Sequence, residues 1–286
     1  MRNTVIVIIG PTAVGKTAIA IKLAKKIKGE IISADSMQAY KGMDIISQRP
    51  TRPQQEGVKH HLVSFLNPSD EYSASAFSKL AQKTIRDIIG RKKVPIVVGG
   101  SGLYVKALVD GIFPSKGKDE KVRKSLQNTA AKNGRLFLYN RLKDIDPVSA
   151  QNIHPNDLRR VIRALEIYEV EKKTKTSLKA ETKGIKDEYD IRIFGLITDR
   201  DELYRRINKR VDSMFKKGIV REVKKLLGLN LSMTSKEALG IKQIKAYLDK
   251  KYDLKTAKEL LKRDTRHFAK RQLSWFRADK RIIWLR

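Results

Sequence analysis

The chain has 286 residues, which is enough for one large domain with an insertion or for two domains. It contains no cysteine, which excludes disulfides and cysteine-ligated zinc, and no apolar run approaches the roughly 20 residues that cross a bilayer, so we expect a cytoplasmic protein without membrane contact. The 62 basic and 31 acidic residues give a net charge of +31, a field that attracts polyanions.

The first third of the chain alternates predicted strands with predicted helices. Residues 5–9 form an apolar run that predicts a buried strand, and a helix is expected over 16–28. The stretch EIISADS predicts a second strand that ends at Asp35, and residues 73–90 have the apolar spacing of a helix. VPIVVGG (94–100) predicts a third strand, and SGLYVKALVDG begins another helix. This alternation indicates a parallel sheet with right-handed crossovers.

The sequence changes in character from about residue 113. Residues 119–180 show helical periodicity and high charge without a strand pattern, which predicts a helical insertion. YDIRIFGLI (189–197) then predicts a further strand, basic helices follow to about Phe276, and RIIWL predicts a final edge strand. The predicted divisions are 1–112 for the first part of the core, 113–190 for a helical insertion domain, and 191–286 for the completion of the core with basic helices.

A glycine-rich loop with phosphate-binding spacing follows the first strand. GPTAVGKT has the pattern G-x-x-x-x-G-K-T between a predicted strand and a predicted helix. Its glycines let backbone N–H groups point at phosphate oxygens, Lys16 adds a positive charge, and the Thr17 hydroxyl is placed to bind Mg²⁺. The loop consists of Gly10, Pro11, Thr12, Ala13, Val14, Gly15, Lys16 and Thr17. We therefore expect an α/β fold with a P-loop NTPase-like parallel-sheet core, an inserted helical domain and a helix-rich C-terminal part.

Asp35 is the candidate acidic residue beside this loop. Nucleotide hydrolases usually end a later strand with an acidic residue that holds Mg²⁺, whereas VPIVVGGSG ends without a carboxylate. Asp35 ends the second predicted strand, and parallel sheets gather their functional groups at this end of the strands. A turn or a helix cap is the alternative role for such an aspartate. A carboxylate beside a phosphate site, without the metal-binding strand of a hydrolase, favours a base that activates an acceptor.

Six further stretches carry a family resemblance. They are DSMQAYKGMDI (35–45), HHLVSF (60–65), YSASAF (72–77), VVGGSGLYVKAL (97–108), IHPNDLRRVIRALEIY (153–168) and HFAKRQLSWFR (267–277). Together with GPTAVGKT they resemble the bacterial tRNA dimethylallyltransferases over essentially the whole chain. The resemblance implies transfer of the dimethylallyl group from dimethylallyl diphosphate to N6 of the adenosine on the 3′ side of the anticodon (position 37), with diphosphate as the second product. It also implies a requirement for Mg²⁺ and recognition of the tRNA anticodon stem-loop.

The resemblance further implies roles for individual residues. The loop would hold the diphosphate, Arg210 would reach it from the opposite side, and Asp35 would be the general base. The implied catalytic set is Asp35, Lys16, Thr12 and Arg210. The implied tRNA contacts are Asp35, Ser36, Met37, Gln38, Ser101, Arg123, Arg159, Arg160, Val161, Ile162 and Arg163. For the arginine-rich stretch, an amphipathic surface helix with solvated arginines is the alternative.

The chain departs from the family pattern at several positions. Ser101 stands where threonine is usual, which keeps the hydroxyl, and Ile241 stands where an aromatic residue is common. ISQRP (46–50) replaces the usual Gly-Thr-Ala-Lys-Pro, and the role of that segment is open. We expect His60 and His61 to have a structural role.

Two other functions compete with the transferase. A small-molecule kinase with ATP on the loop would account for the loop and Asp35, but not for residues 191–286, which carry 27 basic and 11 acidic residues. A non-catalytic RNA-binding module would account for the charge and leave the loop without a role. General enrichment in surface lysine is a third explanation of the charge alone. We expect a monomer, because a tRNA-sized substrate does not require a dimer.

Overall fold

The computed structural model describes residues 3–113 and 119–286, which divide into two compact units. The first unit comprises Met1–Asp110 and Gly184–Arg286, and the second comprises Gly111–Lys183. The sequence predicts the insertion at 113–190, of which residues 114–118 lie outside the described range. The structure assigns residues 184–190 to the first unit, because they lead directly into one of its strands.

A six-stranded parallel sheet forms the centre of the first unit. Its strands are β1 (Thr4–Ile9), β2 (Gly29–Ser33), β3 (His60–His61), β4 (Val94–Gly99), β5 (Asp190–Leu196) and β6 (Ile283–Leu285). Their order is β3-β2-β4-β1-β5-β6, and every neighbouring pair is parallel. Val5, Val7, Ile96 and Val97 have no exposed surface, as expected of central strands covered on both faces. The predicted parallel sheet is confirmed, and it brings the carboxyl ends of β1, β2 and β4 to one edge.

Helices cover this sheet and supply most of the C-terminal part of the chain. Those before the second unit are α1 (Lys16–Ile27), α2 (Asp44–Ser47), α3 (Arg52–Gln55), α4 (Ala74–Gly90) and α5 (Gly102–Val109). Those after it are α11 (Arg200–Lys216), α12 (Ile219–Leu227), α13 (Met233–Lys236), α14 (Ile241–Leu248) and α15 (Leu254–Arg277), and a 3₁₀ turn covers Ile185–Asp187. Ile21 and Ala24 of α1 pack with Ile8, Ile31 and Ile96 of the sheet in one buried cluster, which fixes the helix that follows the phosphate loop. Among the described residues, none of the helices combines the length and apolar composition needed to cross a membrane.

The second unit is helical throughout its described residues. Its helices are α6 (Glu120–Asn133), α7 (Arg135–Ile145), α8 (Pro147–Gln151), α9 (Leu158–Glu171) and α10 (Lys175–Ala180). Leu126, Leu138, Leu142 and Leu165 pack together in a core separate from that of the sheet. The apolar positions recur at helical spacing, and each helix therefore buries one face against the others. The predicted helical character of this region is confirmed.

Two strand predictions differ from the structure. The second strand ends at Ser33, two residues before Asp35, because the Asp35 side chain turns the chain by accepting a hydrogen bond from the Met37 amide. The two-residue edge strand β3 is not predicted at all, since a pair of residues is too short to show alternation.

Candidate active site

The backbone of the phosphate loop takes conformations that its glycines allow. Gly10 has φ of 146° and Gly15 has φ of 104°, both in the region that favours glycine. A Cβ atom on Gly10 would lie 2.6 Å from the carbonyl oxygen of Leu196. The close contact between β5 and the loop therefore requires glycine at position 10. Gly15 caps α1 without a side-chain hydrogen bond. The first N–H groups of that helix therefore remain available to an anion.

The Lys16 side chain folds back beneath this loop. Its Nζ donates hydrogen bonds of 3.0 Å to the carbonyl oxygen of Gly10 and 2.7 Å to that of Pro11. The pKa of Lys16 is lowered to about 7, mainly by burial and also by the nearby positive charge of Arg210, while the charge of Asp35 acts in the opposite direction. The lowered pKa means that the surroundings of the Lys16 ammonium group supply too little negative charge to stabilise its charged form. An anionic ligand would supply that charge, so the site favours one.

Asp35 lies just beyond the carboxyl end of β2 and faces the same region. Its Oδ1 accepts a hydrogen bond of 2.9 Å from the Met37 amide. Burial raises the pKa of Asp35, against opposing effects of that amide and of the charges on Lys16 and Arg210. A carboxylate whose pKa is raised accepts a proton more readily than a solvated one, which suits a general base.

Two helices that are distant in the chain bind Thr12, one through its side chain and the other through its backbone. Arg210 of α11 donates a 2.8 Å hydrogen bond to the Thr12 hydroxyl. The Gln272 side chain of α15 accepts one of 2.8 Å from the Thr12 amide and donates one of 2.9 Å to the carbonyl oxygen of Gly100. Gln272 is 8% exposed, and it connects the phosphate loop to the end of β4. Sequence reasoning assigned Arg210 a role by resemblance but gave none to Gln272.

These groups line one pocket of about 290 Å³ in the first unit. The predicted site residues in its wall are Thr12, Ala13, Gly15, Lys16, Thr17, Asp35, Gln38 and Arg210. Wall residues for which the sequence predicted no ligand contact include Ser47, Gln48, Pro50, His60, Phe268 and Gln272. The pocket thus joins a cationic phosphate loop to a carboxylate acceptor of protons.

Of the predicted tRNA contacts in the first unit, Ser36, Met37 and Ser101 do not line the pocket, but each is adjacent in the chain to a residue that does. Ser36 and Met37 continue the turn that starts at Asp35, and the Gln38 side chain accepts a 2.9 Å hydrogen bond from the Ser33 hydroxyl. Ser101 is the N-cap of α5 and makes no capping hydrogen bond with its side chain. It follows Gly100, which is itself part of the pocket wall.

The wall formed by β3 and the segment after α2 is polar. The carbonyl oxygen of Val58 lies 2.8 Å from Nδ1 of His60 and accepts its hydrogen, while burial lowers the pKa of this histidine. The ring is therefore neutral, with Nε2 as an acceptor. Among the described residues neither His60 Nε2 nor Ser47 Oγ has a hydrogen-bond partner.

The donor groups in the pocket fit a magnesium ion that is held mainly through a substrate. Thr17 supplies a hydroxyl and Asp35 a carboxylate in the same wall. The described residues contain no group of three or more acidic or histidine side chains that could enclose a metal alone. Mg²⁺ commonly binds through one or two protein groups, several waters and substrate phosphates, which is the arrangement these donors allow.

The predicted RNA-binding residues of the second unit differ in their exposure. Arg159 and Arg160 are exposed on α9, whereas Val161 and Ile162 are 0% and 6% exposed and pack in the core of the unit. Arg123 and Arg163 donate hydrogen bonds of 2.8 and 2.9 Å to the buried carboxylate of Glu166.

Side-chain contact with RNA from this stretch therefore depends on the arginines, because the two apolar side chains are occupied by packing. Burial alone would raise the pKa of Glu166, but hydrogen bonds from both arginines and from the Asp119 amide lower it below its ordinary value. Arg123 of α6 consequently joins its helix to α9 through Glu166, whereas Arg163 and Glu166 form an ion pair within α9.

Comparison with known proteins identifies a family. A family model described as IPP transferase matches residues 38–279. A tRNA dimethylallyltransferase of Halothermothrix orenii is 47% identical over 99% of this chain and 87% of its own length, and one of Carboxydothermus hydrogenoformans is 49% identical over 99% and 92%.

Solved structures agree with this comparison. The tRNA isopentenylpyrophosphate transferase of Bacillus halodurans is 40% identical with a TM-score of 0.72, covering 100% of this chain and 90% of that one. A eukaryotic dimethylallyltransferase acting on tRNA is 33% identical with a TM-score of 0.79, covering 96% of this chain and 70% of that one. Because the match spans nearly the whole chain in sequence and in fold, the chain belongs to the IPP transferase family, as a bacterial tRNA isopentenyltransferase.

Proposed function

We propose that this chain transfers the dimethylallyl group from dimethylallyl diphosphate to N6 of adenosine 37 of tRNA, giving N6-dimethylallyladenosine and diphosphate. The observation that carries the proposal is the pocket in which Lys16 and Arg210 face Asp35. Two cations and a phosphate loop suit a diphosphate leaving group, and a carboxylate with a raised pKa suits the proton of an amine. The names of the homologous enzymes support tRNA as the acceptor.

The diphosphate would bind at the loop of residues 10–17. As the allylic C–O bond stretches, negative charge grows on the departing diphosphate and positive charge spreads over the allyl group. The free amides at the start of α1, Lys16 and Arg210 are positioned to stabilise that negative charge before the reaction begins. Lys16 would exchange its bonds to the Gly10 and Pro11 carbonyl oxygens for phosphate oxygens.

Asp35 would accept the proton that the adenine amine loses. The exocyclic amine is a weak nucleophile because its lone pair is delocalised into the ring. The bond from N6 to the allylic carbon forms as the C–O bond breaks, and one N6 proton passes to the Asp35 carboxylate. Positioned general bases contribute about 100- to 10,000-fold to a rate. Water must be kept from the allylic cation, which a pocket in the protein interior favours over an open surface.

The magnesium ion of the proposal would be held by the Thr17 hydroxyl together with diphosphate oxygens. When bound, Mg²⁺ supplies positive charge that neutralises the leaving group. The protein groups that complete this charge compensation are Lys16 and Arg210.

The tRNA would meet this site through its anticodon stem-loop. Residues 35–38 and Ser101 are proposed to contact the target nucleotide and its neighbours, and Arg123, Arg159, Arg160 and Arg163 the RNA elsewhere. A base in the loop must be unstacked to enter a pocket, at a cost of a few kcal/mol. Attraction between the basic surface and the RNA phosphates offsets this cost. We propose that the enzyme acts as a monomer in the cytoplasm.

One assay tests the proposal against the kinase and RNA-binding alternatives. Purified protein is incubated with Mg²⁺, unmodified tRNA and dimethylallyl diphosphate labelled in the allyl group, with ATP added to a parallel sample. Label in tRNA at the same rate in both samples supports the transferase. ATP consumption on a small acceptor, or RNA binding without transfer, would replace it by one of the alternatives.

A further inference from the structure

The carboxylate of Glu222 in α12 lies against the first turn of the short helix α2. It accepts hydrogen bonds from three consecutive backbone amides, those of Asp44 at 3.1 Å, Ile45 at 2.8 Å and Ile46 at 2.8 Å. These are N–H groups that a helix start leaves without an internal partner. Met43, the N-cap residue, provides no side-chain hydrogen bond for them. A residue about 180 positions away in the chain therefore performs the capping of α2.

A helix of four residues depends on such a contact. Helices this short are not stable by themselves, because their few internal hydrogen bonds do not compensate for the loss of backbone freedom. A carboxylate acceptor makes stronger hydrogen bonds than a neutral one, and it also favours the positive end of the helix. The anchor is itself fixed, since Ile219, Val223 and Leu226 of α12 are buried.

The end of α2 enters the wall of the active-site pocket. Ser47 is the last residue of α2, and Gln48 and Pro50 follow it; all three line the pocket that holds Lys16 and Asp35. Gln48 has φ of 53°, and its side-chain amide donates a 2.6 Å hydrogen bond back to the Ile45 carbonyl oxygen. The position of this wall is thus tied to α2, and α2 is tied to Glu222.

An apolar contact limits how far the wall could move without that carboxylate. Ile46 is 8% exposed, and its Cδ1 would lie 3.4 Å from a Cβ atom built on Gly240, as would Cδ1 of Ile219. Ile46, Ile219 and Gly240 therefore pack at one point beneath α2. Loss of the carboxylate charge should loosen α2 without unfolding the unit.

We propose that Glu222 is a positioning residue for the reaction: by capping α2 it holds residues 47–50 as the wall that fits the allylic diphosphate. This gives a role to the segment ISQRP, which the sequence left open. The inference rests on the proposed function for the identity of the ligand, but Glu222 itself does not line the pocket and would not touch the substrate.

The test compares Glu222→Gln with Glu259→Gln, a control that removes the same charge from an exposed position on α15. Hydrogen exchange is measured at the amides of residues 44–47 in substrate-free protein. The Kd of dimethylallyl diphosphate is measured without tRNA, and kcat and tRNA affinity are measured separately. We expect Glu222→Gln to speed exchange at these amides selectively and to raise the Kd about tenfold, with the thermal midpoint and tRNA affinity close to those of the control.

Two results would overturn the inference while the wild-type enzyme remains active. Unchanged exchange would mean that the carboxylate does not hold α2, and faster exchange with an unchanged Kd would mean that α2 does not shape the ligand site. Failure of the wild-type protein to transfer label would instead refute the proposed function, and the two failures are therefore distinguishable.

Discussion

Gln272 accepts a hydrogen bond of 2.8 Å from the backbone amide of Thr12, a residue 260 positions earlier in the chain. The same side chain donates to the carbonyl oxygen of Gly100 at 2.9 Å. A Cβ atom on Gly100 would lie 2.3 Å from the Gln272 amide nitrogen, which leaves this glycine as the residue that fits. Helix α15 therefore ties the phosphate loop to the residue that follows β4.

Gln272→Ala should impair both stability and diphosphate binding. It leaves the Thr12 amide and the Gly100 carbonyl without their partner, and each buried unpaired group costs about 1–3 kcal/mol. We expect the free energy of unfolding to fall by about 2 kcal/mol or more, and kcat/KM for dimethylallyl diphosphate to fall about 10- to 100-fold. Denaturant unfolding and steady-state kinetics measure the two effects.

Gln82→Ala is the matched control for this variant. Gln82 donates a hydrogen bond to Ser78 within α4 and does not line the pocket. Its loss should lower stability slightly and leave kcat/KM unchanged. Equal kinetics in Gln272→Ala and Gln82→Ala would show that Gln272 supports the fold without shaping the site.

The phosphate loop and Asp35 could be predicted because their information is local. GPTAVGKT defines its own conformation through glycines at fixed spacing, and Asp35 follows a recognisable strand. Gln272 and Glu222 could not be predicted from spacing, because each acts on a segment far away in the chain. In the family stretch HFAKRQLSWFR, Gln272 is the one residue with an amide side chain. The sequence gives no other indication of its role. The helical spacing of the arginine-rich stretch correctly predicts α9, within which Arg163 and Glu166 are three residues apart. The contact of Arg123 with Glu166 could not be predicted, because Arg123 lies on a different helix, 43 positions earlier in the chain.

Asp35→Asn should slow transfer strongly and leave tRNA binding nearly intact. Asparagine keeps the shape and can still accept the Met37 amide hydrogen through its side-chain oxygen, but it cannot take the N6 proton at neutral pH. We expect the single-turnover rate with bound tRNA to fall about 100- to 10,000-fold, with the tRNA Kd within a few-fold of wild type. A near-normal rate in this variant would place the base elsewhere.

The pH dependence of the wild-type rate provides a second measurement of Asp35. The active form is the carboxylate, so the rate should fall as pH decreases through its pKa. Since burial raises the pKa of Asp35, that fall should begin above the pH range in which an ordinary aspartate titrates.

Diphosphate binding should be coupled to proton uptake by Lys16. The ligand-free pKa is lowered to about 7, and a bound polyanion favours the charged form and raises it. Above pH 7, binding must therefore supply a proton, and affinity should fall as pH rises, up to about tenfold per pH unit, until the pKa of the bound form is reached. Below pH 7 Lys16 is already protonated, and this contribution disappears.

Calorimetry in two buffers with different ionisation heats measures this uptake. Without tRNA, at pH 8, we expect close to one proton per dimethylallyl diphosphate bound. Lys16→Gln should bind more weakly and take up almost none. Equal proton uptake by the variant and the wild type would assign the linkage to another group.

The arginines of α9 should separate into two classes when they are substituted. Arg160 has 60% of its side chain exposed and pairs with Asp157 at 3.3 Å, and Arg159 is also exposed. Neither contacts the buried carboxylate of Glu166, whereas Arg163 does so at 2.9 Å. Arg159→Ala with Arg160→Ala should therefore leave the free energy of unfolding within about 0.5 kcal/mol of wild type.

Their effect on tRNA should appear in the salt dependence of binding. If each arginine neutralises one phosphate, the double variant should reduce the slope of log K against log salt by roughly 1.4–1.8. Arg163→Ala should instead lower stability by at least 1 kcal/mol, because part of the compensation of a buried carboxylate is lost. An unchanged salt slope in the double variant would mean that Arg159 and Arg160 are solvated side chains on an amphipathic helix and do not bind RNA. RNA recognition by the second unit would then have to come from another of its basic faces.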